Sequence, residues 1–584
     1  MSRRALGVLA ITGSLLAALL LRLWGIAFGP WSPHARPDEE TFVVHAFDMY
    51  SGDQAVELLH SGWPQGYFRI VYLLETLETR LLELVWRHPV HLACVYAVNG
   101  LSVQLWPRVF SALADVVGCL FLGLAVRRLA PKEARDFALP CGILALGFNY
   151  LAARDAHFGV SDATLLSAIC LGTYASVCSV MDGPRYLPLL AIASGAGFGV
   201  KYAAAPMGAN CILAVVFCLV RFRDRRGATI GFTLISVAAG LLAFQLVSPG
   251  GLSHFPDLWR SIIGHSERYT DQARAYLLDS GYTIGPGWRF HLFHNLPTAF
   301  GWPGLILSLV GLGLCVRRDW YAGALLVASA LASFAMLFAI RTQFVRYAGP
   351  ILPPLAVGLG LLLALASSEI RASLPSSARW KAIVLLMLVA FALPLRLIIE
   401  FDHLLSVPDT RDEAAVWLVK QHVPAITQGQ FATVQLLDPG MADACKPVVP
   451  PFLWREVPKM PPISPDWPVF VGAGEGFWGS ISHNALENCL YSSPPREKSA
   501  FVVSGQGVLP CNRMGREDDH PPLDPQCFEI ATVFSPGNPE CSGYLDMFDS
   551  MWLPYWGFGG WDHPGPRIEI YRNKCFKEER PEGS

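Results

Sequence analysis

The chain has 584 residues, of which 52% are hydrophobic and only 16% charged. Soluble domains carry nearer ~25% charged residues, so the composition excludes an ordinary soluble protein and points to a polytopic membrane protein. The formal net charge of -2 comes with no basic stripe that would bind nucleic acid and no block of like charge that would form a solvated tail.

Apolar stretches of spanning length recur near 5–28, 106–126, 136–153, 161–181, 186–202, 204–220, 228–248, 301–316, 320–340, 347–367 and 381–400. They predict about eleven transmembrane helices. The 186–202 and 204–220 pair is short for two full spans. Sidedness follows from Lys/Arg bias. Arg3-Arg4, Arg127-Arg128, Arg221 to Arg226, Arg317-Arg318 and Arg371 to Lys381 all fall on the cytoplasmic side if every stretch spans, and one helix more or fewer breaks that agreement. The first stretch is too long for a cleaved signal and ends without a small-x-small site, so it reads as a retained helix. Residues 1–404 then form a transmembrane domain with external loops at 29–105 and 249–300. Residues 405–584 form a non-cytoplasmic domain.

The first external loop is too long to be a simple connection. Asp48 to Leu59 and Phe68 to Trp86 place apolar residues at helical spacing, and the second run predicts a helix lying in the membrane interface. The 249–300 loop is rich in His, Arg and aromatic residues and reads as a second cap. Its histidines show no metal-ligand spacing. The tail opens with an amphipathic helix over Asp412 to Lys420. Strand-like runs follow at Phe431 to Leu437 and Val469 to Val471, predicting a small α/β or α+β domain. Trp552, Trp556 and Trp561 near its end fit internal packing, a membrane surface or sugar stacking.

Of 14 cysteines, eight precede residue 400, where a buried thiol behaves as a small apolar group. The other six, Cys445, Cys489, Cys511, Cys527, Cys541 and Cys575, predict disulfides within the tail, with open connectivity.

The residues suited to chemistry sit at the external ends of the spans. Asp38 and Glu39 follow the first helix; Asp162 opens the fourth; Lys201 ends the fifth; Arg346 opens the tenth; Arg154 lies just before Asp162. A carboxylate can take the proton of an attacking hydroxyl, and fixed cations can stabilise a phosphate as it leaves. Glu40, Asp48 and Asp53 read as solvated loop surface. A lipid-linked phosphate donor accounts for placing both charge types at the bilayer surface.

Leu20-Leu21-Arg22-Leu23-Trp24-Gly25 followed by Pro37-Asp38-Glu39 resembles the start of the GT-C-fold membrane glycosyltransferases. The group is that of the protein O-mannosyltransferases, aminoarabinose transferases and Rgt-like enzymes (family 39-like). Trp63-Pro64-Gln65-Gly66-Tyr67, Arg154 through Asp162, Gly199-Val200-Lys201-Tyr202, Arg346-Tyr347-x-x-Pro350-x-x-Pro353 and Thr410 through Leu418 continue the likeness in order, to about residue 425. The resemblance implies transfer of one hexosyl or pentosyl sugar, with inversion, from a polyprenyl phosphate to an acceptor outside the cytoplasm. It implies Asp38 as base, Glu39 as a helper or acceptor-positioning group and Asp162 as second acid. Lys201, Arg346 and Arg154 would hold the donor phosphate, with no metal or cofactor. Two departures stand out: Gln65 replaces a common second proline, and the Cys-rich tail matches nothing in the group. The acceptor (protein, lipid or glycan) stays open. The absence of a retention signal and of an N-x-Ser/Thr sequon favours a bacterial inner membrane. A transporter or lipid-carrier flippase is the alternative reading, although no internal repeat supports it.

Overall fold

The computed structural model describes residues 3–29, 37–51, 63–264, 287–339, 344–421, 425–428, 445–453, 501–506, 526–537, 544–545, 553–565 and 567–574. Each of the eleven apolar stretches lies on helix. These helices are α1 (Arg3–Leu23), α5 (Gly100–Leu129), α6 (Arg135–Gly147) with α7 (Tyr150–Ala156), α8 (Ser161–Asp182) and α9 (Leu187–Val200). The series continues with α10 (Pro206–Arg221), α11 (Arg226–Val247), α12 (Leu296–Arg318), α13 (Trp320–Ala339), α14 (Leu352–Ser373) and α15 (Ser376–Leu405). Among the described residues, eight helices are long and apolar enough to cross a membrane, or nine with the bent pair α6–α7 counted as one span; α1 is a shorter apolar helix. The chain is an integral, multi-pass membrane protein.

The 136–153 stretch differs from a straight span. It bends by 66° between α6 and α7, because Asn149 starts a new helix there: its side chain accepts from the Ala152 amide at 3.1 Å. The bend turns Arg154, Asp155 and His157 toward the same end of the bundle as Asp162.

Glycines let the helices close on one another. A Cβ on Gly195 of α9 would collide with the Gly240 carbonyl of α11, and one on Gly311 of α12 with the Gly358 carbonyl of α14. Small residues serve this purpose where lipid offers no hydrophobic gain on association. At one end of the bundle the basic connections meet: Arg128 pairs with Asp182, Arg221 with Asp319, and Arg318 reaches the Leu129 carbonyl.

The 29–105 loop contributes α2 (Pro37–Ser51), α3 (Gly66–Trp86) and α4 (Leu92–Val98). Pro37 opens α2, a favoured first helical position, so Asp38 and Glu39 stand in a helix turn and not in an open loop. Of the predicted helix Asp48 to Leu59, residues 48–51 form the end of α2 and the rest lies outside the described residues, as do the side chains of Glu40, Asp48 and Asp53. Helix α3 exposes Leu73, Leu77, Leu81, Leu84 and Val85 and buries Tyr67, Phe68, Val71, Glu75 and Glu78. This inside-out pattern fits a helix with its apolar face in lipid.

In the tail, α16 (Thr410–Gln421) covers the predicted amphipathic helix. Strands β1 (Ala425–Gln428), β2 (Phe501–Gln506), β6 (Arg567–Asn573) and β3 (Phe528–Phe534) form a mixed sheet in that order, and β4 (Tyr544–Leu545) pairs with β5 (Pro554–Trp556). The strand-like runs at 431–437 and 469–471 lie outside the described residues. One cysteine reading is corrected: Cys445 bonds Cys94, not another tail cysteine. The tail segment 445–453 runs along α4, where His91 N donates to the Val448 carbonyl at 3.1 Å and Asn99 to the Leu453 carbonyl at 3.1 Å. Cys94 thus faces the tail instead of serving as apolar filler.

Candidate active site

The end of the bundle opposite the basic connections collects the charges that the sequence placed at the ends of spans. The first turn of α2 presents Asp38, and Arg346 Nη1 donates to its Oδ2. Arg346 stands in a tight helical turn, Val345–Ile351, that feeds α14. Its side chain is 9% exposed and that of Asp38 23%. Beside them, Lys201 at the end of α9 donates to Asp162 Oδ1 in the first turn of α8 at 2.7 Å. Tyr202 shares a hydrogen bond with Tyr347 and lies within reach of the charges of Arg346, Asp162 and Asp38. Four segments far apart in sequence thus supply two carboxylates and two cations to one place.

A narrow cleft lies against this cluster. Asp155, Asp162 and Arg346 line it together with Leu165, Leu166, Ile169 and Leu352. Positions 162, 165, 166 and 169 share one face of α8, because residues three and four apart are neighbours on a helix. The charged rim therefore continues into an apolar wall.

Glu39 differs from Asp38. It is buried, and both of its carboxylate oxygens are held: Arg108 donates from Nε to Oε1 and from Nη2 to Oε2, both at 2.9 Å. The Gly159 amide donates to Oε1 at 2.6 Å. Arg108 also reaches the carbonyls of Ile26 and Phe28 and lies over the Phe28 ring at 3.8 Å. This clamp ties the segment after α1, together with α2 and α5, to the 157–160 connection, and so braces the turn that carries Asp38. Arg154 sits one layer back: it is buried, donates to Asp155 Oδ1 at 2.7 Å, and packs over Phe158 and Tyr555. Asp155, not Arg154, meets the cleft.

The Trp63-to-Tyr67 element packs against α9 and the end of α11. Gln65, where a proline is common in the resembling group, donates its backbone N–H to Ser248 Oγ at 3.1 Å, a bond that a proline could not make. Gly66 lies so close to α9 that a Cβ would strike the Gly199 carbonyl, two residues before Lys201. Of the terminal tryptophans, Trp556 stacks with His294 and Phe290 and Trp561 packs partly buried against the core; Trp552 lies outside the described residues.

Sequence reasoning missed Arg108, Asp155, Asn295 and Tyr555. A usable signal existed for Arg108, since an arginine within an apolar helix needs a partner. Among the described residues, no group of three or more His, Cys, Asp or Glu could hold a metal ion.

No family model matches the sequence, and no curated protein matches it. Among solved structures, the chain is similar to the apo oligosaccharyltransferase of Archaeoglobus fulgidus, at 11% identity and TM-score 0.45, over 80% of this chain and 62% of that one. It is similar to apo ArnT from Cupriavidus metallidurans, at 17% identity and TM-score 0.40, over 69% and 73% of the two chains. It is also similar to the arabinofuranosyltransferase AftD from Mycobacteria, at 15% identity and TM-score 0.39, over 99% and 40%. The chain spans less than two thirds of the length of the oligosaccharyltransferase and of AftD.

Proposed function

We propose that the protein is a membrane glycosyltransferase that moves one sugar from a polyprenyl-phosphate donor to an acceptor on the non-cytoplasmic side. The observation that carries this reading is the cleft, whose charged rim of Asp162 and Arg346 leads into the apolar wall of α8. A lipid-linked phosphate has that polarity pattern. The ordered motifs from Leu20 to Leu418 support the same reading. Under it, the C-terminal region lies outside the cytoplasm, and a bacterial inner membrane is the setting.

In the proposed reaction, an acceptor oxygen attacks the anomeric carbon from the face opposite the phosphate. The bond between that carbon and the phosphate oxygen breaks, and the sugar inverts. Asp38 takes the proton of an acceptor hydroxyl. Arg346 and Lys201 stabilise the charge growing on the leaving polyprenyl phosphate, and Asp162 orients Lys201. Arg154 acts from behind, through Asp155. Where the acceptor is itself a phosphate, no base is required and Asp38 positions it.

The test uses purified protein in lipid nanodiscs, offered a panel of polyprenyl-phosphate monosaccharides with membrane extract as acceptor source. Release of polyprenyl phosphate from one donor, abolished by Asp38→Asn in a folded variant, is expected. Absence of release from every donor would refute the reading and favour a transporter.

A further inference from the structure

The C-terminal region packs against the site end of the bundle through β5, with Tyr555 beside Trp556. Tyr555 on β5 is fully buried, and its hydroxyl donates to Asn295 Oδ1 at 2.6 Å. Asn295 donates in turn from Nδ2 to the carbonyl of Val345 at 2.8 Å, the residue that precedes Arg346. The Tyr555 ring stacks on Tyr150 with centroids 5.2 Å apart, and the Arg154 guanidinium lies over it at 5.3 Å. Arg154 holds Asp155, and Asp155 and Arg346 both line the cleft. One tail residue therefore reaches both sides of the cleft from behind.

The hydroxyl, not the ring, makes the link to Asn295. The Asn295 amide is held at three points: Nδ2 meets the Val345 carbonyl and, at 3.0 Å, His291 Nδ1, and Oδ1 accepts from Tyr555. Without the hydroxyl, Oδ1 is buried and unsatisfied, and the amide is held from its Nδ2 side alone. A phenylalanine would fill the same space and keep the stacking.

We propose that Tyr555 is a positioning residue: through Asn295 it holds the Val345–Arg346 turn, so the C-terminal region sets the grip of Arg346 on the donor phosphate. This inference rests on the reading of the cleft as a donor site.

The test titrates undecaprenyl phosphate, without sugar, into full-length protein in nanodiscs and follows thermal unfolding in parallel. Tyr555→Phe should lower the unfolding temperature only slightly, by the loss of one buried hydrogen bond, and weaken binding about fivefold, or about 1 kcal/mol. In an Arg346→Ala background, Tyr555→Phe should cost nothing further, whereas a merely structural role would cost the same in both backgrounds. Asn295→Ala should weaken binding by a similar factor, without adding to Tyr555→Phe, and carries the comparison should Tyr555→Phe fail to fold. Wild-type affinity in Tyr555→Phe, or an undiminished loss in the Arg346→Ala background, would overturn the positioning role and leave the donor site standing. No binding by wild type would overturn both.

Discussion

Asp38 and Glu39 are neighbours in the first turn of α2, yet the structure gives them different surroundings, and substitution should separate them. Glu39→Gln keeps the shape and removes the charge. Glu39 accepts three hydrogen bonds, at 2.9, 2.9 and 2.6 Å, from Arg108 and the Gly159 amide. A glutamine has one acceptor oxygen, and its NH2 group would face the guanidinium donors. Breaking a buried ion pair from one side costs about 3–5 kcal/mol. Arg108 keeps the carbonyls of Ile26 and Phe28 and its contact with the Phe28 ring, so a loss of about 3 kcal/mol is expected. Asp38 is less buried, its side chain 23% exposed against 2% for Glu39, so Asp38→Asn should cost less stability than Glu39→Gln while abolishing transfer. Thermal unfolding of both variants in nanodiscs, read beside donor turnover, makes the comparison. A Glu39→Gln protein that melts like wild type, or an Asp38→Asn protein that loses as much stability, would refute the division between brace and base.

Lys201→Met should raise the KM for the donor roughly 10- to 100-fold, the value of about 1.5–3 kcal/mol for a hydrogen bond to a charged group, measured by polyprenyl phosphate release. Cys94→Ser should cost about 2–5 kcal/mol, and protease cleavage between α5 and the tail should leave two fragments that stay linked without reductant only in wild type. Burial pushes the Glu78 carboxyl from 4.5 up to about 7, against hydrogen bonds from Ser102 and Trp106. Because the folded protein binds this proton more tightly, stability is full below about pH 4.5 and falls as pH rises to about 7, by about 3 kcal/mol at most. Glu78→Gln should therefore raise the unfolding temperature at pH 8 and leave it unchanged near pH 4.5.

What the sequence revealed of this site depended on topology. Asp38, Asp162, Lys201 and Arg346 could be placed at one membrane level because the basic connections fix the sidedness of every span. Their pairing into Asp38–Arg346 and Asp162–Lys201 depends on the rotation of each helix, which periodicity leaves open where a helix is apolar all round. The brace around Glu39 was hidden for a related reason: Arg108 lies inside an apolar stretch, 69 residues from its partner. The Asn149 break carried a local signal, an N-cap residue ahead of a helical run, but the hydropathy of 136–153 outweighed it. The Cys94–Cys445 bond and the insertion of Tyr555 join residues 351 and 260 positions apart, and no local rule reports contacts of that separation.

The balance of charge in the cleft couples acceptor binding to donor binding under the proposed function. Each cation serves a carboxylate: Arg346 holds Asp38 and Lys201 holds Asp162. A polyprenyl phosphodiester brings another negative charge and must compete for these donors. Arg346 presents five N–H groups in a planar fork and Lys201 presents three, so both can turn toward the phosphate. As Arg346 turns, an oxygen of Asp38 opens to accept the proton of an incoming hydroxyl. An acceptor arriving first would meet a carboxylate whose Oδ2 is engaged by Arg346. The donor should therefore favour acceptor binding, and acceptor affinity should rise when undecaprenyl phosphate occupies the cleft. Equal acceptor affinity with and without the lipid phosphate would show that the Asp38–Arg346 pair does not gate the site.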